Sequence, residues 1–168
     1  MHLFATDSER YPWRVPQSEG GSFGRQRIHH TFRAMSNDLR ARKVLVCPSD
    51  RRAVAEDYAS LLDTNISYFV GVDTKEGKTG MLLSGDFNLE GGLLNQPCPI
   101  AGVNGVTMEF SRRNLTNANW GEKPHRRVGN VTIGDASAHL VDARKAQEIL
   151  RMSDDDANAF NNHILKPR

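Results

Sequence analysis

The first half of the chain contains one clear helical pattern of hydrophobic positions. Ile28, Phe32, Met35 and Leu39 follow one another at spacings of four, three and four residues. That spacing places all four side chains on one face of an amphipathic helix. Residues 52–62 predict a second, shorter helix.

The C-terminal part predicts two more helices, which together cover residues 142–166. Asp142 is the predicted N-cap of the first, because its side chain can accept a backbone N–H of the first turn. The apolar positions of this helix are Ala143, Ala146, Ile149 and Leu150. The second helix follows Ser153, with Ala157, Phe160 and Ile164 on its apolar side. Ser153 and Asp156 have the spacing of a capping box, which favours a first-turn position for Asp154, Asp155 and Asp156 over a metal site.

Short runs rich in β-branched and aromatic residues predict the strands. Residues 43–47 end at Pro48, and residues 66–72 and 80–84 are joined by a polar connection with Gly77, which predicts a hairpin. Residues 105–110 predict a further strand. The clearest hairpin joins residues 130–133 to 138–141 through the turn at 134–137.

The remaining segments show neither a helical nor a strand pattern of hydrophobic residues. Residues 1–24 are interpreted as an extended N-terminal segment, residues 89–105 as a long loop, and residues 114–128 as irregular. Consecutive strands can pair by hairpins, so the sequence predicts an antiparallel sheet with the helices on one face. The predicted class is α+β, with residues 1–168 in a single domain.

Composition narrows the class of protein. Hydrophobic residues make up 38% of the 168 residues, and the net charge is +2. That charge excludes a strongly basic nucleic-acid tail protein and an acidic disordered chain. Without a run of 18 apolar residues the chain predicts no transmembrane helix, and the polar residues 1–11 predict no signal peptide.

The balanced total charge conceals a basic segment. Between Arg25 and Arg52 there are eight basic residues and two acidic ones, a local excess of six positive charges. This segment could form a surface for nucleic acid or another polyanion. It could equally consist of solvated arginines on the outside of a helix and a turn. The eight are Arg25, Arg27, Arg33, Arg40, Arg42, Lys43, Arg51 and Arg52.

The two cysteines allow three interpretations. Common hydrolase and nucleotide-binding motifs are absent from the sequence. Cys47 follows a predicted strand and could be a nucleophile if His29, His30 or His125 were within hydrogen-bond reach. It could instead be a small buried filler, or it could pair with Cys98 in an oxidising compartment.

Acidic and aromatic residues supply the remaining candidates for binding. Asp73, Glu76 and Asp86 flank the hairpin of residues 66–84, where clustered oxygens could bind calcium. Ordinary turn acids are the alternative, and no other cofactor is predicted. Trp13 and Trp120 could stack on a carbohydrate or a partner, or could cover an edge of the core.

The last hairpin carries one distinctive combination of residues. His125 precedes Asp135 by ten positions, with Gly129 and Asn130 opening the strand between them and Ser137 following the turn. The short Asp135 side chain can hydrogen-bond the backbone of its own turn and hold the hairpin. His125 could reach across as a structural hydrogen-bonding group, or it could act as a catalytic base.

The pattern His125-x9-Asp135, with the stretch GNVTIGDAS, resembles the C-terminal signature of prepilin-like proteins of the planctomycete–verrucomicrobial type, relatives of the type II secretion pseudopilins. Four other stretches are similar to segments of that family and occur in the family's order. They are ATDSERYPWRVPQSEGGS, AMSNDL followed by KVLVCPSD, ISYFVGVD and MLLSGDFNL. The resemblance therefore covers nearly the whole chain.

The sequence departs from the family pattern at two places. The family turn has Asp-Gly, whereas Ala136 stands in the glycine position here. An alanine would be strained if this position needs a positive φ, so a different turn type is one expectation. The family also begins with a basic leader, a processing site and a long apolar helix, which this chain does not contain.

The resemblance implies a pseudopilin-like head, in which a sheet built from hairpins packs against an N-terminal helix. It implies a non-enzymatic structural subunit whose signature residues are His125, Gly129, Asn130, Asp135 and Ser137. The implied partners are other pseudopilin subunits and the secretion machinery, not nucleic acid, with membrane contact only through an N-terminal helix absent from this chain. The implied location is the periplasm or cell surface. A polyanion-binding module that uses residues 25–52 is the alternative.

Overall fold

One antiparallel sheet organises the structure, which is a computed structural model that describes residues 10–153 and 161–168. Within these residues the sheet has seven strands in the order β4-β5-β9-β1-β2-β7-β8. They are β1 (Tyr68–Gly71), β2 (Leu82–Asp86), β4 (Leu93–Cys98), β5 (Val103–Ser111), β7 (Gly129–Ile133), β8 (Ala138–Val141) and β9 (Asn161–Leu165). Two short strands, β3 (Leu89–Glu90) and β6 (Asn119–Trp120), form a separate pair.

The α-helices are few and short. They are α1 (Ile28–Ala34), α2 (Ser36–Leu39) and α3 (Ala143–Met152). The predicted helical face at residues 28–39 is confirmed, although the backbone at Met35 departs from helical geometry and separates α1 from α2. The cap of α3 is confirmed as well, because the Asp142 carboxylate accepts the Lys145 backbone N–H at 2.8 Å.

The two faces of the sheet cover two separate cores. In β1, Val70 belongs to a cluster with Phe32 and Met35 of the first helical segment. The neighbouring Phe69 belongs to a second cluster, with Ile149 of α3. Successive side chains of a strand point to opposite faces, so the helices lie on both sides of the sheet. The α+β class is confirmed, and the expectation of helices on one face is wrong.

The predicted hairpins form most of the sheet. Tyr68 of β1 pairs with Asp86 of β2, and Gly129 of β7 pairs with Val141 of β8. The strand predicted at residues 105–110 is confirmed and extended as β5. The last strand, β9, lies between β1 and β5 and pairs with both.

The segment that follows the first helices contradicts two predictions. Residues 42–45 form a 3₁₀-helix instead of a strand, and residues 52–62 contain neither helix nor strand. Arginine side chains bind the backbone carbonyls of this second region. Arg33 donates to Leu61 O at 2.7 Å, and Arg42 donates to Ala55 O at 3.0 Å. Carbonyl groups that would be satisfied within a helix are satisfied here by guanidinium groups from outside.

Two further predictions are corrected. Residues 89–105 are not a long loop, since β4 forms a hairpin with β5. The prediction of a second C-terminal helix is wrong for residues 161–165, which form β9. Ile164 faces one core and Leu165 the other, as a strand buried on both sides requires. Residues 154–160, with the proposed partner of the Ser153 cap, lie outside the described residues.

The N-terminal segment is more compact than expected. From Arg10 onward it forms two 3₁₀-turns, Pro12–Arg14 and Gln17–Glu19. Tyr11 and Trp13 are buried and their rings stack at 4.9 Å. Residues 10–24 therefore contribute to the core instead of extending as a loop. Among the described residues, no helix combines the length and the hydrophobicity that a bilayer-spanning helix requires.

Candidate functional site

The turn of the signature hairpin is held by its own aspartate. The Asp135 carboxylate accepts the backbone N–H of Ser137 at 2.8 Å, and hydrogen bonding from Ser137 lowers the pKa of Asp135. The Ile133 N–H donates to Ser137 O at 3.1 Å and closes the turn. The structure therefore contains the Asp135 turn contact that the sequence predicts.

Ala136 adopts a left-handed backbone conformation, which glycine takes more readily than any other residue. Its φ is 67°, in the left-handed region that costs a residue with a Cβ atom roughly 1–2 kcal/mol. The positive φ that strains an alanine is therefore present at this position. A turn type different from that of the family stays a prediction.

Replacing Ala136 with glycine is expected to raise the free energy of unfolding by about 0.5–1 kcal/mol, because the strain at the left-handed residue is released. Urea unfolding measures the change. Ala138→Gly is the matched control, since Ala138 lies in β8 and glycine there should destabilise the protein. An Ala136→Gly variant less stable than the unmodified protein would contradict the assignment of strain.

Gly129 and Asn130 connect β7 to the neighbouring structure. A Cβ atom on Gly129 would overlap the buried indole ring of Trp120. Asn130 donates its backbone N–H to Asp86 Oδ2 at 2.6 Å and its side-chain N–H to the same oxygen at 3.0 Å. Both residues therefore have structural contacts that explain their types.

His125 lies against Cys47 and Asp86. The distance from His125 Nε2 to Cys47 Sγ is 3.3 Å, and the distance from the same nitrogen to Asp86 Oδ2 is 3.4 Å. Cys47 is buried, Asp86 is 1% exposed, and the His125 side chain is 18% exposed. Of the three histidines considered as partners of Cys47, the structure brings His125 into contact. His29 instead bonds to Asp63 at 2.7 Å, and the His30 ring packs against His29.

The arrangement around His125 differs from a nucleophile–base–orienting acid triad. In such a triad the acid holds one ring nitrogen and the nucleophile contacts the other. Here the thiol and the carboxylate both approach Nε2. Asp86 therefore does not orient His125 toward Cys47 as an acid of a triad would.

A second buried cluster contains the same three residue types. His163 Nδ1 lies 3.1 Å from Asp73 Oδ2, and Cys98 Sγ lies 3.7 Å from Asp73 Oδ1. The His163 backbone N–H also donates to Asp73 Oδ2, and His163 Nε2 lies 3.6 Å from Glu109. Burial by itself would lower the pKa of His163, but hydrogen bonds with Asp73 and then Cys98 raise it to about 10.

The two clusters decide several open alternatives. Cys47 and Cys98 are both free and buried, so the structure contains no bond between them. Asp73 follows the end of β1 and Asp86 ends β2, and these strands are antiparallel. The two acids therefore lie at opposite ends of the hairpin, and a calcium site that joins Asp73, Glu76 and Asp86 is wrong.

The tryptophans are core residues. Trp13 is 1% exposed and Trp120 is 3% exposed, so neither presents a ring for stacking on a ligand. Trp13 belongs to the core on the first face of the sheet and Trp120 to the core on the second.

Half of the basic segment is used for internal contacts. Arg52 pairs with Asp50 at 3.1 Å, donates to the carbonyls of Asp63 and Ile66, and lies over the Phe87 ring at 4.2 Å. Arg27 pairs with Asp63, and Arg33 and Arg42 bind carbonyls as described above. The other members are exposed: Arg25, Arg40, Lys43 and Arg51.

Sequence reasoning missed the second cluster. His163 lies in a stretch that was assigned to a helix, and 90 residues separate it from Asp73. The buried Asn88 was also missed, although its side-chain N–H groups hold the ends of the His125 loop through Gly121 O and Val128 O. For the second cluster the sequence offers one signal, which is that His163 directly precedes the two apolar residues Ile164 and Leu165.

Among the described residues, two Cys–Asp–His clusters each have ligand atoms close enough together to hold a metal ion.

Comparison with known proteins found no matching family model, no matching curated protein and no matching solved structure.

Proposed function

We propose that this chain is the head of a pseudopilin-like structural subunit, in a type II secretion or type IV pilus-like filament. Its function is assembly rather than catalysis. In the full-length form an apolar N-terminal helix anchors the subunit in the inner membrane and packs in the filament. The head then stands in the periplasm or at the cell surface, next to other subunits and the secretion machinery.

The observation that carries this proposal is how the stretches with family resemblance pack together. Ser67, in the third stretch, donates to Asp50 at the end of the second, with a distance of 2.8 Å. Asp86, in the fourth, accepts two hydrogen bonds from Asn130 in the signature. His125 of the signature contacts Cys47 of the second stretch. Residues that carry the resemblance therefore depend on one another for their buried polar contacts, as parts of one structural motif do.

The signature residues themselves have structural roles. Asp135 and Ser137 hold the turn, Gly129 accommodates Trp120, and Asn130 binds Asp86. These contacts favour a subunit whose surface serves its neighbours over an enzyme organised around a substrate cleft.

The outer strands of the sheet offer surfaces for such neighbours. Within the described part of the chain, β4 and β8 are the two edge strands. Leu94 of β4 is 66% exposed and Leu140 of β8 is 68% exposed. Unpaired backbone groups and exposed apolar side chains on an edge strand favour contact with another chain.

The test places a prepilin leader and apolar helix before this chain, in cells that contain a prepilin peptidase and a type II secretion system. We expect processing, and chemical cross-links between heads in the sheared filament fraction. Leu140→Lys should reduce the cross-linked fraction, whereas Met152→Lys should not, because Met152 is 63% exposed but belongs to α3 and not to an edge strand.

The same leader and helix fused to an unrelated globular domain control for assembly driven by the helix alone. A processed fusion of the present chain that stays out of filaments would contradict the proposal. Equal cross-linking of the unrelated domain would also contradict a role for this head.

A further inference from the structure

Three groups from distant parts of the chain converge at the base of the signature hairpin. Cys47 follows the 3₁₀-helix at residues 42–45, Asp86 ends β2, and His125 lies in the loop before β7. Their ligand atoms all lie within 4.8 Å of one another. These groups are a thiol, a carboxylate and an imidazole, which are the three side-chain types that bind zinc.

Hydrogen bonds alone cannot satisfy all the polar atoms of this cluster. Nε2 of a neutral histidine carries either one hydrogen or one lone pair, so it can complete only one of its two contacts, with Cys47 or with Asp86. Asp86 Oδ1 is buried and has no hydrogen-bond partner among the described residues. An unpartnered carboxylate oxygen at a site that is 1% exposed carries a substantial desolvation cost.

We propose that Cys47, Asp86 and His125 bind a divalent transition-metal ion, with zinc as the best fit. A cation would contact all three groups at once and would offset the negative charge of the buried Asp86 carboxylate. The inference does not depend on the proposed function, because it rests on the geometry of these three residues.

The spacing of the ligand atoms fits a tetrahedral ion. Zinc bonds of about 2.3 Å to sulfur and about 2.0 Å to nitrogen or oxygen imply S···N separations of about 3.5 Å and N···O separations of about 3.3 Å. The corresponding distances are 3.3 Å between Cys47 and His125 and 3.4 Å between His125 and Asp86. Two of the three ligand separations therefore match a tetrahedral ion, and the third, between Cys47 and Asp86, is within 4.8 Å.

The donor set selects against the common hard cations. Calcium and magnesium prefer oxygen ligands, whereas a thiolate with an imidazole favours zinc and its neighbours in the first transition series. Binding would displace the Cys47 thiol proton to solvent and use the lone pair of His125 Nε2. Three protein ligands leave a fourth position for water.

The ion would act as a clamp between three segments. It would join the segment after the 3₁₀-helix to the end of β2 and to the loop before β7. Asn130 would hold the ligand carboxylate in place, since it donates two hydrogen bonds to Asp86 Oδ2.

The Asp73–Cys98–His163 cluster provides an internal comparison. Both Asp73 oxygens have partners, and His163 contacts carboxylates through both ring nitrogens. All three residues are buried. Its polar groups satisfy one another, so we assign the metal to the first cluster and use the second as the control.

The test titrates the full, metal-free chain with Co²⁺ and follows the thiolate-to-cobalt charge-transfer absorption, with Zn²⁺ then displacing the cobalt. We expect one ion per chain. The band should be lost in Cys47→Ala and kept in Cys98→Ala. No band in the unmodified protein, or a band lost in Cys98→Ala and kept in Cys47→Ala, would overturn the assignment.

A milder variant tests the same site without removing a ligand. Asn130→Ala should weaken zinc affinity by about 10- to 100-fold in competition with a chromophoric chelator, because it removes the side-chain hydrogen bond to the ligand Asp86. Asn130 is exposed on β7, and Asn104 is exposed on β5, which gives the control Asn104→Ala; that variant should bind zinc normally. Equal affinities of the two variants would contradict the role of Asp86 as a ligand that Asn130 supports.

Discussion

Replacing His163 with alanine is expected to lower the free energy of unfolding by about 3–5 kcal/mol at pH 6, the cost typical of removing one partner from a buried ion pair. His163 lies between Asp73 and Glu109, with the two carboxylates approaching different ring nitrogens. The His163 side chain is 10% exposed and that of Asp73 is 6% exposed. Water therefore solvates the Asp73 carboxylate poorly once its charged partner is removed. Urea unfolding followed by circular dichroism measures the difference.

The pH dependence separates the charge of His163 from its packing. The pKa is raised to about 10 in the folded protein, against 6.5 for an unperturbed histidine. Because the folded pKa is the higher one, the stabilisation is complete below about pH 6.5 and is lost as the pH rises toward 10. The stability difference between the unmodified protein and His163→Gln should therefore shrink across this window.

His139→Gln is the matched control for that experiment. His139 is exposed on the edge strand β8, and a surface substitution there should change stability by less than about 0.5 kcal/mol. A His163→Gln variant as stable as the unmodified protein at pH 6 would contradict the buried ion pair. So would a stability difference that grows between pH 6.5 and pH 10.

Replacing Gly129 with alanine is expected to destabilise the protein by about 3 kcal/mol, at the upper end of the usual cost of overpacking a core. The added Cβ would lie 2.5 Å from Cε3 and 2.6 Å from Cη2 of Trp120, and closer still to Cζ3. The ring is 3% exposed and packs in the core on the α3 side of the sheet. Since neither the rigid ring nor the paired strand β7 can easily move, the overlap must distort one of them.

Gly80→Ala provides the comparison, because a Cβ on Gly80 meets nothing within 4 Å. That variant should have nearly unchanged stability or gain up to about 1 kcal/mol from the reduced freedom of the unfolded chain. The double variant Gly129→Ala/Trp120→Leu should be more stable than the sum of the two single changes predicts, because the smaller side chain relieves the overlap. Equal effects of Gly129→Ala and Gly80→Ala would contradict this explanation.

The predictions that the structure confirms rest on interactions between residues close in sequence. The Asp142 cap and the Asp135–Ser137 contact each join residues three or fewer positions apart. The apolar face of residues 28–39 needs only the helical period. The interactions behind these patterns are made between neighbouring residues, so the patterns can be recognised before any long-range packing is known.

The wrong predictions concern segments whose partners are distant. Ile164 fits a helical period, but β9 is buried between β1 and β5, and the pairing of those strands overrides the local pattern. Residues 52–62 have a helix-like pattern, yet arginines from other segments bind their carbonyls. In each case tertiary contacts satisfy the backbone groups that a helix would have satisfied with its own hydrogen bonds.

Turn chemistry and helix capping could be inferred from the chain alone, because each depends on neighbours within a few residues. The pairing of Cys47 with His125, 78 residues away, and of Asp73 with His163, 90 residues away, could not. The order of the strands determines which of the candidate histidines meets which thiol. Many arrangements satisfy the same local patterns, and packing of the two cores against the sheet selects one of them.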